Sequence, residues 1–290
     1  MGKLRTQEKR RPEIHSQLSY EGVRRVIEDE ISLRLEIENA LRDFLIKREM
    51  ISNARERARA SEIIFNNVVL SRNVRIGLEG QLDFEELGFD LVTSPHECIG
   101  AYELVHQMYE EVGFNNLTRI GGEKKERTII PGLNYDDNDS RSVTAIVSRE
   151  GEIVGTSRII LDSPGIFLPA EKLYNPENGF NTLRTKYLGE GLRIGEISKL
   201  ANSRPGAQWK ALMRFWHVLS ESLRIGNLIS ISSEEDFSKI NSKFGFNEQR
   251  RERFYEELES PDVIATWDQR EEISPFYRRI ILGERPSTIH

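Results

Sequence analysis

A pair of strand-forming segments in the middle of the chain constrains the fold most strongly. Residues 142–147 and 153–161 are rich in β-branched and aliphatic side chains. The connection between them, Arg149–Glu152, is short and charged and contains a glycine. Two such segments joined by so short a turn predict an antiparallel hairpin. We therefore expect antiparallel sheet in this part of the chain.

Strand and helix patterns alternate on both sides of the hairpin. Residues 89–93 read as a short strand, after which Ser94 can cap a helix and Pro95 suits its first position. The remaining segments predict a strand at 193–200, a helix from Trp209 to about Ile225, a strand at 228–231, a helix at 237–244 and a last strand region reaching 263–267. This order predicts an α/β (α+β) fold, in which helices flank a mixed sheet.

The patterns divide the chain into three parts. Residues 1–18 are basic and polar, and we expect a disordered tail. Residues 19–85 place apolar side chains at helical spacing opposite a charged face, which predicts a helical extension. Residues 86–290 would form the α/β domain. The stripe within residues 19–82 leaves several alternatives open: packing on that domain, oligomer formation, or peripheral contact with a membrane.

Composition excludes several functional classes. The chain has 290 residues and a net charge of −6, which argues against a broad nucleic-acid-binding surface. No window approaches 18 consecutive apolar residues, so we expect no transmembrane span. The one cysteine, Cys98, cannot build a disulfide framework, and the 5 histidines lack zinc-site spacing. We therefore expect no metal site and a cytoplasmic location, with membrane association left open.

Residues 136–200 carry the most specific pattern. Two aspartates three apart, Asp136 and Asp139, precede the hairpin, and Arg158 lies on its second strand. The next strand contains Gly195-Glu196-Ile197-Ser198-Lys199. This layout resembles the acyl-homoserine-lactone synthases, which belong to the GNAT superfamily of acyltransferases.

Two further stretches strengthen the resemblance. The run from Leu168 to Tyr174, followed by the Glu-Ile-Ser sequence, is still more similar to the bacterial long-chain N-acyl amino acid synthases. The segment Asn241–Phe246, which finishes in Gly-Phe, resembles the helix-to-strand turn of the GNAT superfamily. The resemblance covers about residues 89–270 and implies a GNAT-like, mostly antiparallel sheet.

The resemblance implies an N-acyltransferase. It would move a long acyl chain from the phosphopantetheine thioester of acyl carrier protein, or less readily from CoA, to the amine of an amino acid. No cofactor would be bound permanently. Glu196 lies among apolar neighbours, so desolvation would raise its pKa and make it a better base. Ser198 shares its sheet face and would orient the glutamate or bind substrate. These two are the catalytic candidates.

Four charged residues are candidates for substrate binding. Asp136, Asp139 and Arg158 would shape the amino-acid site, and the arginine could clamp a substrate carboxylate with its two-pronged guanidinium. Lys199 stands where the related synthases have arginine, and strand alternation places it on the face opposite Ser198. A competing interpretation of Glu196 is an ion pair with Arg158 that serves structure alone.

The donor thioester would lie between the strand of Glu196 and the strand at 228–231, which splay apart in the GNAT superfamily. The loop and helix start that follow would then contact phosphate. This loop lacks the glycine spacing of acetyl-CoA users, and Pro205 removes one N–H donor. Both features favour the single phosphate of acyl carrier protein. The candidate phosphopantetheine-binding residues are Arg204, Gly206, Ala207 and Lys210.

Three alternative functions remain open at this stage. An acyl-homoserine-lactone synthase would use the same donor with S-adenosylmethionine as acceptor, but the aromatic and basic residues that close that site have no clear counterparts near residues 89–120. A CoA-dependent GNAT N-acetyltransferase is disfavoured by the phosphate loop. A non-catalytic module that binds acyl carrier protein is the alternative from another functional class.

Overall fold

A computed structural model of the chain describes residues 20–111, 119–120, 123–124, 130–173, 180–203, 207–252, 262–268, 274–280 and 283. Its α-helices are α1 (Tyr20–Lys47), α2 (Ala54–Leu78), α3 (Phe84–Leu87), α4 (Pro95–Glu111), α5 (Pro169–Leu173), α6 (Phe180–Gly189), α7 (Ala207–Ser222), α8 (Glu234–Asp236), α9 (Ser242–Phe244) and α10 (Pro275–Ile280). Its strands are β1 (Asp90–Leu91), β2 (Arg119–Ile120), β3 (Glu123–Lys124), β4 (Ser142–Arg149), β5 (Glu152–Leu161), β6 (Arg193–Asn202), β7 (Ile225–Ser233), β8 (Asn247–Glu252) and β9 (Asp262–Asp268). A 3₁₀ helix (Asp137–Arg141) precedes β4, and a π-helical segment (Phe237–Asn241) joins α8 to α9.

The main sheet has seven strands in the order β1-β4-β5-β6-β7-β9-β8. The β6–β7 pair is parallel, and every other neighbouring pair is antiparallel. The predicted hairpin is β4–β5, which turns through Glu150 and Gly151. The predicted α/β fold, with helices flanking a mixed and mostly antiparallel sheet, is confirmed.

The two faces of the sheet bury different partners because strand residues alternate between faces. On the first face, α7 packs on the sheet through a large apolar cluster that includes Val143, Ile159 and Leu228. On the second face, α1, α2 and α4 cover one part of the sheet around Ile146. The α5 and α6 segments cover another part of that face around Ile229. Two separate groups of helices therefore cover the second face.

Helix α2 is tied to the centre of the sheet by polar side chains as well as by apolar packing. The buried Asn67 amide donates to the carbonyl oxygens of Asp139 and Ser142 and to the Thr144 hydroxyl. The Ser71 hydroxyl accepts from the Thr144 N–H at 3.1 Å. These bonds hold the 3₁₀ helix against β4. The predicted tail at 1–18 lies outside the described residues, and the division near residue 85 stays a prediction.

Two helix boundaries differ from the sequence prediction for local reasons. Helix α7 ends at Ser222 instead of about Ile225, because Ile225 already begins β7. The helical run predicted from Phe237 begins at Glu234, because the Ser233 hydroxyl caps it. It ends at Gly245, whose φ of 103° glycine adopts without strain. Among the described residues, no helix combines the length and apolar character needed to cross a membrane.

Candidate active site

The second face of the sheet brings together the central candidates. Arg158 on β5 stands directly opposite Ser198 on β6, and Glu196 lies two residues earlier, opposite Ile160. Residues two apart on a strand share a face, so all three polar side chains project from the second face. They lie at the boundary between the two groups of helices that cover this face, where α5 approaches Glu196 and the 3₁₀ helix approaches Arg158.

A charged network forms around Arg158. Its guanidinium donates to the Ser198 hydroxyl at 2.8 Å and to Asp136 Oδ2 at 2.9 Å, and it also donates to Asp139. Lys199 Nζ donates to Asp139 Oδ2 at 2.7 Å and to the Asn134 carbonyl oxygen at 2.8 Å. The sequence prediction that the two aspartates and the arginine form one polar network agrees with this geometry.

Asp136 and Arg158 each stabilise the charged form of the other. Loss of water opposes ionisation of Asp136, but Arg158 and Lys199 outweigh that cost and hold the pKa of this carboxyl below its ordinary value. Burial likewise opposes the charge on Arg158, and the two aspartates raise its pKa above the ordinary value. All three nitrogens of the guanidinium already donate hydrogen bonds within the protein. Its predicted role as a clamp for a substrate carboxylate stays a prediction, since a clamp would require one of these bonds to open.

The predicted orientation of Lys199 is wrong. Simple alternation along β6 would direct it away from Ser198 and Glu196, yet its ammonium meets the same aspartate as Arg158. The reason is a backbone irregularity: the β5–β6 register shifts here, and Lys199 has a φ of 52°. A left-handed residue in a bulge re-aims its side chain. Burial and Arg158 lower the pKa of the lysine, against the opposing effect of the aspartates.

Glu196 occupies a different environment. Glu196 is 3% exposed, and its Oε2 accepts a 2.8 Å hydrogen bond from the Ala170 N–H. Within the part of the chain that the structure describes, no ion pair joins Glu196 to an arginine, so the competing prediction of a structural pair with Arg158 is wrong. Burial raises its pKa to about 8, although the Ala170 N–H and Arg158 act in the opposite direction. A proton can therefore be gained or lost here near neutral pH.

The segment that covers Glu196 is anchored by a buried ion pair that the sequence analysis missed. Arg184 on α6 donates to both Glu171 oxygens, at 2.8 and 2.6 Å, and the Glu171 side chain is 2% exposed. Glu171 also accepts from the Leu168 N–H at 2.6 Å. These bonds hold α5 so that the Ala170 N–H meets Glu196. A buried glutamate within a short helix gave no sequence signal of its partner, because the arginine lies 13 residues away.

The strands β6 and β7 part beside this site. Their pairing runs from Arg193↔Ile225 to Ile197↔Ser230, whereas the strands themselves continue to Asn202 and Ser233. The expected splay of these strands agrees with this register. Backbone groups beyond the last pair are available to an extended ligand.

Polar side chains border the splay on the β7 side. The Asn241 amide donates to the Ser232 hydroxyl at 2.9 Å and to the Ser230 hydroxyl at 3.3 Å. The sequence analysis did not single out either serine. The alternation of serines along β7 was the signal that could have identified them.

The phosphate-binding candidates are only partly described. Arg204 and Gly206 lie outside the described residues, Ala207 begins α7, and Lys210 is exposed in the first turn of that helix. Their predicted roles stay predictions. Among the described residues, no group of three or more His, Cys, Asp or Glu side chains is arranged to hold a metal ion.

Cys98 and two aromatic side chains of α7 belong to the hydrophobic core. Cys98 is buried, and burial raises the pKa of its thiol, which disfavours the thiolate that a nucleophile requires. Phe215 and Trp216 lie in the core on the first face of the sheet.

The sequence model of the family described as "N-acyl amino acid synthase FeeM" matches residues 100–268, which contain every candidate of this site.

The chain belongs to the FeeM N-acyl amino acid synthase family. The match covers more than half of the chain, and it establishes N-acyltransferase activity at the level of the family. A search of curated proteins finds no match to this chain.

Three solved structures are similar to this chain at low identity and low TM-score. FeeM from uncultured soil microbes is 16% identical, with a TM-score of 0.45, over 63% of this chain and 95% of that chain. The acyl-homoserine-lactone synthase LasI is 17% identical, with a TM-score of 0.38, over 71% of this chain and 91% of that chain. The CoA-dependent acyl-homoserine lactone synthase BjaI, solved with SAM and isopentyl-CoA, is 19% identical, with a TM-score of 0.40, over 63% of this chain and 81% of that chain.

Proposed function

We propose that this member of the FeeM family transfers a long acyl chain from the phosphopantetheine thioester of acyl carrier protein to the amine of an amino acid, with Glu196 as the general base. The observation that carries the proposal is the environment of Glu196. It is a buried carboxylate with a pKa raised to about 8, and it lies one residue before Ile197, the last residue of β6 that pairs with β7. A base of this pKa is suited to an ammonium substrate near neutral pH.

The reaction requires one proton transfer before the bond exchange. Ionised Glu196 takes a proton from the ammonium of the amino acid, either directly or through one water molecule. The neutral amine then attacks the thioester carbonyl carbon, so that a C–N bond forms and the C–S bond breaks. The second amine proton leaves as the amide forms, and the departing thiolate gains a proton. The products are an N-acyl amino acid and free phosphopantetheine thiol.

Acceptor binding is assigned to the charged network. Asp136 is its most exposed member, with a side chain that is 38% exposed, whereas Arg158 and Asp139 are almost fully enclosed. Asp136 can accept from the substrate ammonium before Glu196 removes the proton, because an ionised carboxylate strengthens such a bond. Ser198 is a positioning residue in this scheme, since its hydroxyl accepts from Arg158.

Donor binding is assigned to the splay between β6 and β7. The extended phosphopantetheine arm would pair with backbone groups beyond Ile197 and Ser230, where the two strands no longer bond to each other. The hydroxyls of Ser230 and Ser232, which accept from Asn241, would lie beside the leaving sulfur. The choice of acyl carrier protein over CoA rests on the phosphate loop, where Pro205 removes an N–H donor.

The test is an assay with the purified protein, acyl carrier proteins charged with acyl chains of 8 to about 16 carbons and a mixture of amino acids. Mass spectrometry should detect N-acyl amino acids. Replacing Glu196 with Gln keeps the hydrogen bond from Ala170 and removes the base, so turnover should fall about 10²- to 10⁴-fold. For the intact protein, kcat should rise with pH through the pKa near 8 and then level off, because the ionised carboxylate is the active form.

The matched control is Glu152→Gln, which alters an exposed glutamate at the start of β5 and should leave turnover unchanged. Acyl-CoA and S-adenosylmethionine belong in parallel reactions. Efficient turnover of acyl-CoA would reject the carrier-protein donor, and formation of a lactone would favour an acyl-homoserine-lactone synthase. Full activity of Glu196→Gln would contradict the assignment of the base.

A further inference from the structure

Helix α1 extends beyond the part of the protein that covers it. Residues 24–32 are exposed throughout, and burial begins at Leu33 and continues through the second half of the helix. From this exposed segment to Leu35, the helix carries large apolar side chains that the rest of the described chain leaves uncovered. Ile27 is 52% exposed, and Ile31 and Leu35 are each 62% exposed. They follow one another at intervals of four residues and form a single row along the helix.

The charges beside this row have an internal symmetry. Within residues 24–38, the charged residues that lie about 60° or less around the helix axis from Ile31 are two arginines and two glutamates: Arg24, Glu28, Arg34 and Glu38. All four side chains are exposed. A two-fold axis that passes through Ile31 perpendicular to the helix relates two antiparallel copies of α1. It brings together residues whose numbers are equally far from 31. It therefore exchanges Ile27 with Leu35, Arg24 with Glu38, and Glu28 with Arg34.

We infer that the exposed face of α1 is a docking surface for a second copy of the chain, in which two α1 helices pack antiparallel about a two-fold axis at Ile31. Within residues 24–38, every position on this face then meets a complementary position, as an isologous dimer requires. Ile31 packs on its own copy, Ile27 packs on Leu35, and each glutamate meets an arginine. The inference is independent of the acyl-transfer reaction.

The charge pattern favours a second copy over a membrane surface. A helix that lies on a membrane typically carries Lys and Arg along its polar face, which attract anionic lipids. Here glutamates alternate with arginines at the edge of the apolar row, and acidic residues continue through Asp29 and Glu30. Arg24 already pairs with Glu28, and Arg34 with Glu62, at 2.7 and 3.1 Å. Such exposed pairs are weak and can be shared with a partner chain.

Cysteine cross-linking of the full chain tests the contact and its register. The chain has one natural cysteine, Cys98, which is buried and does not compete. At the two-fold axis, facing positions of packed helices come within reach of a disulfide. The variant Ile31→Cys should form a disulfide-linked dimer at least about tenfold faster than Asp29→Cys, which lies on the far side of the helix. Equal rates would overturn the inference.

A mixing experiment separates antiparallel from parallel packing. Chains with Ile27→Cys and chains with Leu35→Cys should cross-link to each other when mixed, while either variant alone should cross-link slowly. Rapid cross-linking of the Ile27→Cys chain with itself would indicate a parallel pair and would overturn the proposed register.

Sedimentation equilibrium provides a test without cysteine chemistry. The unmodified chain should change reversibly from one to two chains as its concentration rises. Ile31→Glu should abolish the dimer, whereas Val26→Glu should retain it. Val26 is equally exposed at 60%, but lies about 140° around the helix from Ile31. A monomer that instead sediments with phosphatidylcholine–phosphatidylglycerol vesicles, and loses this with Ile31→Glu, would assign the face to a membrane and overturn the dimer.

Discussion

Asp139 and Glu196 are both buried carboxylates on the second face of the sheet, but their surroundings differ. The Asp139 side chain is fully enclosed and accepts from Arg158, from Lys199 and from the Asp136 N–H. Glu196 is 3% exposed and accepts from the Ala170 N–H. Enclosure alone therefore does not determine what a carboxylate does; the charge of its immediate partners decides.

This difference separates a scaffold from a reactive group. Cations beside Asp136 outweigh the cost of burying its charge, and the ion pairs of the two aspartates with Arg158 and Lys199 hold the 3₁₀ helix to the sheet. Near Glu196 the nearest donor is a neutral N–H, so burial raises the pKa to about 8. The same sheet face thus holds a charge that is fixed and a charge that can change near neutral pH.

Removing a charge from the fixed site should have the largest effect on stability. Asp139→Asn leaves Arg158 and Lys199 with less negative charge between them, so the free energy of unfolding at pH 7 should fall by about 3–5 kcal/mol. Urea unfolding measures this change. The control is Asp137→Asn in the same 3₁₀ helix, where the side chain is 77% exposed and the effect should be small. Equal losses for the two variants would contradict the scaffold role.

The opposite result is expected at the reactive site. The folded-state pKa of Glu196 lies above that of the unfolded chain, so its contribution to stability is lost as pH rises from about 4.5 to 8. Glu196→Gln removes this loss. Between pH 5 and pH 8, the free energy of unfolding of the variant should rise by on the order of 1–3 kcal/mol relative to that of the unmodified protein. Urea unfolding at both pH values measures it; a variant that becomes relatively less stable at pH 8 would show that Glu196 is ionised and stabilised in the fold.

Ser198 tests whether the two sites act separately. Ser198→Ala removes the hydroxyl that accepts from Arg158, which should cost about 1 kcal/mol of unfolding free energy. Turnover should fall only severalfold, because the serine positions the arginine and does not contact the reacting atoms. Stopped-flow or steady-state assay of kcat beside KM measures this. A loss as large as that of Glu196→Gln would make Ser198 catalytic, as the sequence first suggested.

The sequence predicted much of the fold because its signals are local. The hairpin follows from two strand segments and a short turn, and the helix start at Ser94 follows from a cap that the structure contains. Pairings between distant residues carried no comparable signal. The bonds from Asn67 to the 3₁₀ helix and the ion pair of Glu171 with Arg184 join segments that only folding brings together.

The sequence by itself determined which residue types were available and, through strand alternation, that Glu196 and Ser198 share a face. Tertiary structure decided what each of them contacts. A bulge at Lys199 re-aimed one side chain toward Asp139, and the approach of α5 gave Glu196 a neutral partner in place of a cation. The physical reason is that a pKa depends on burial and on charges within a few ångströms, and those distances are set by packing between segments remote in sequence.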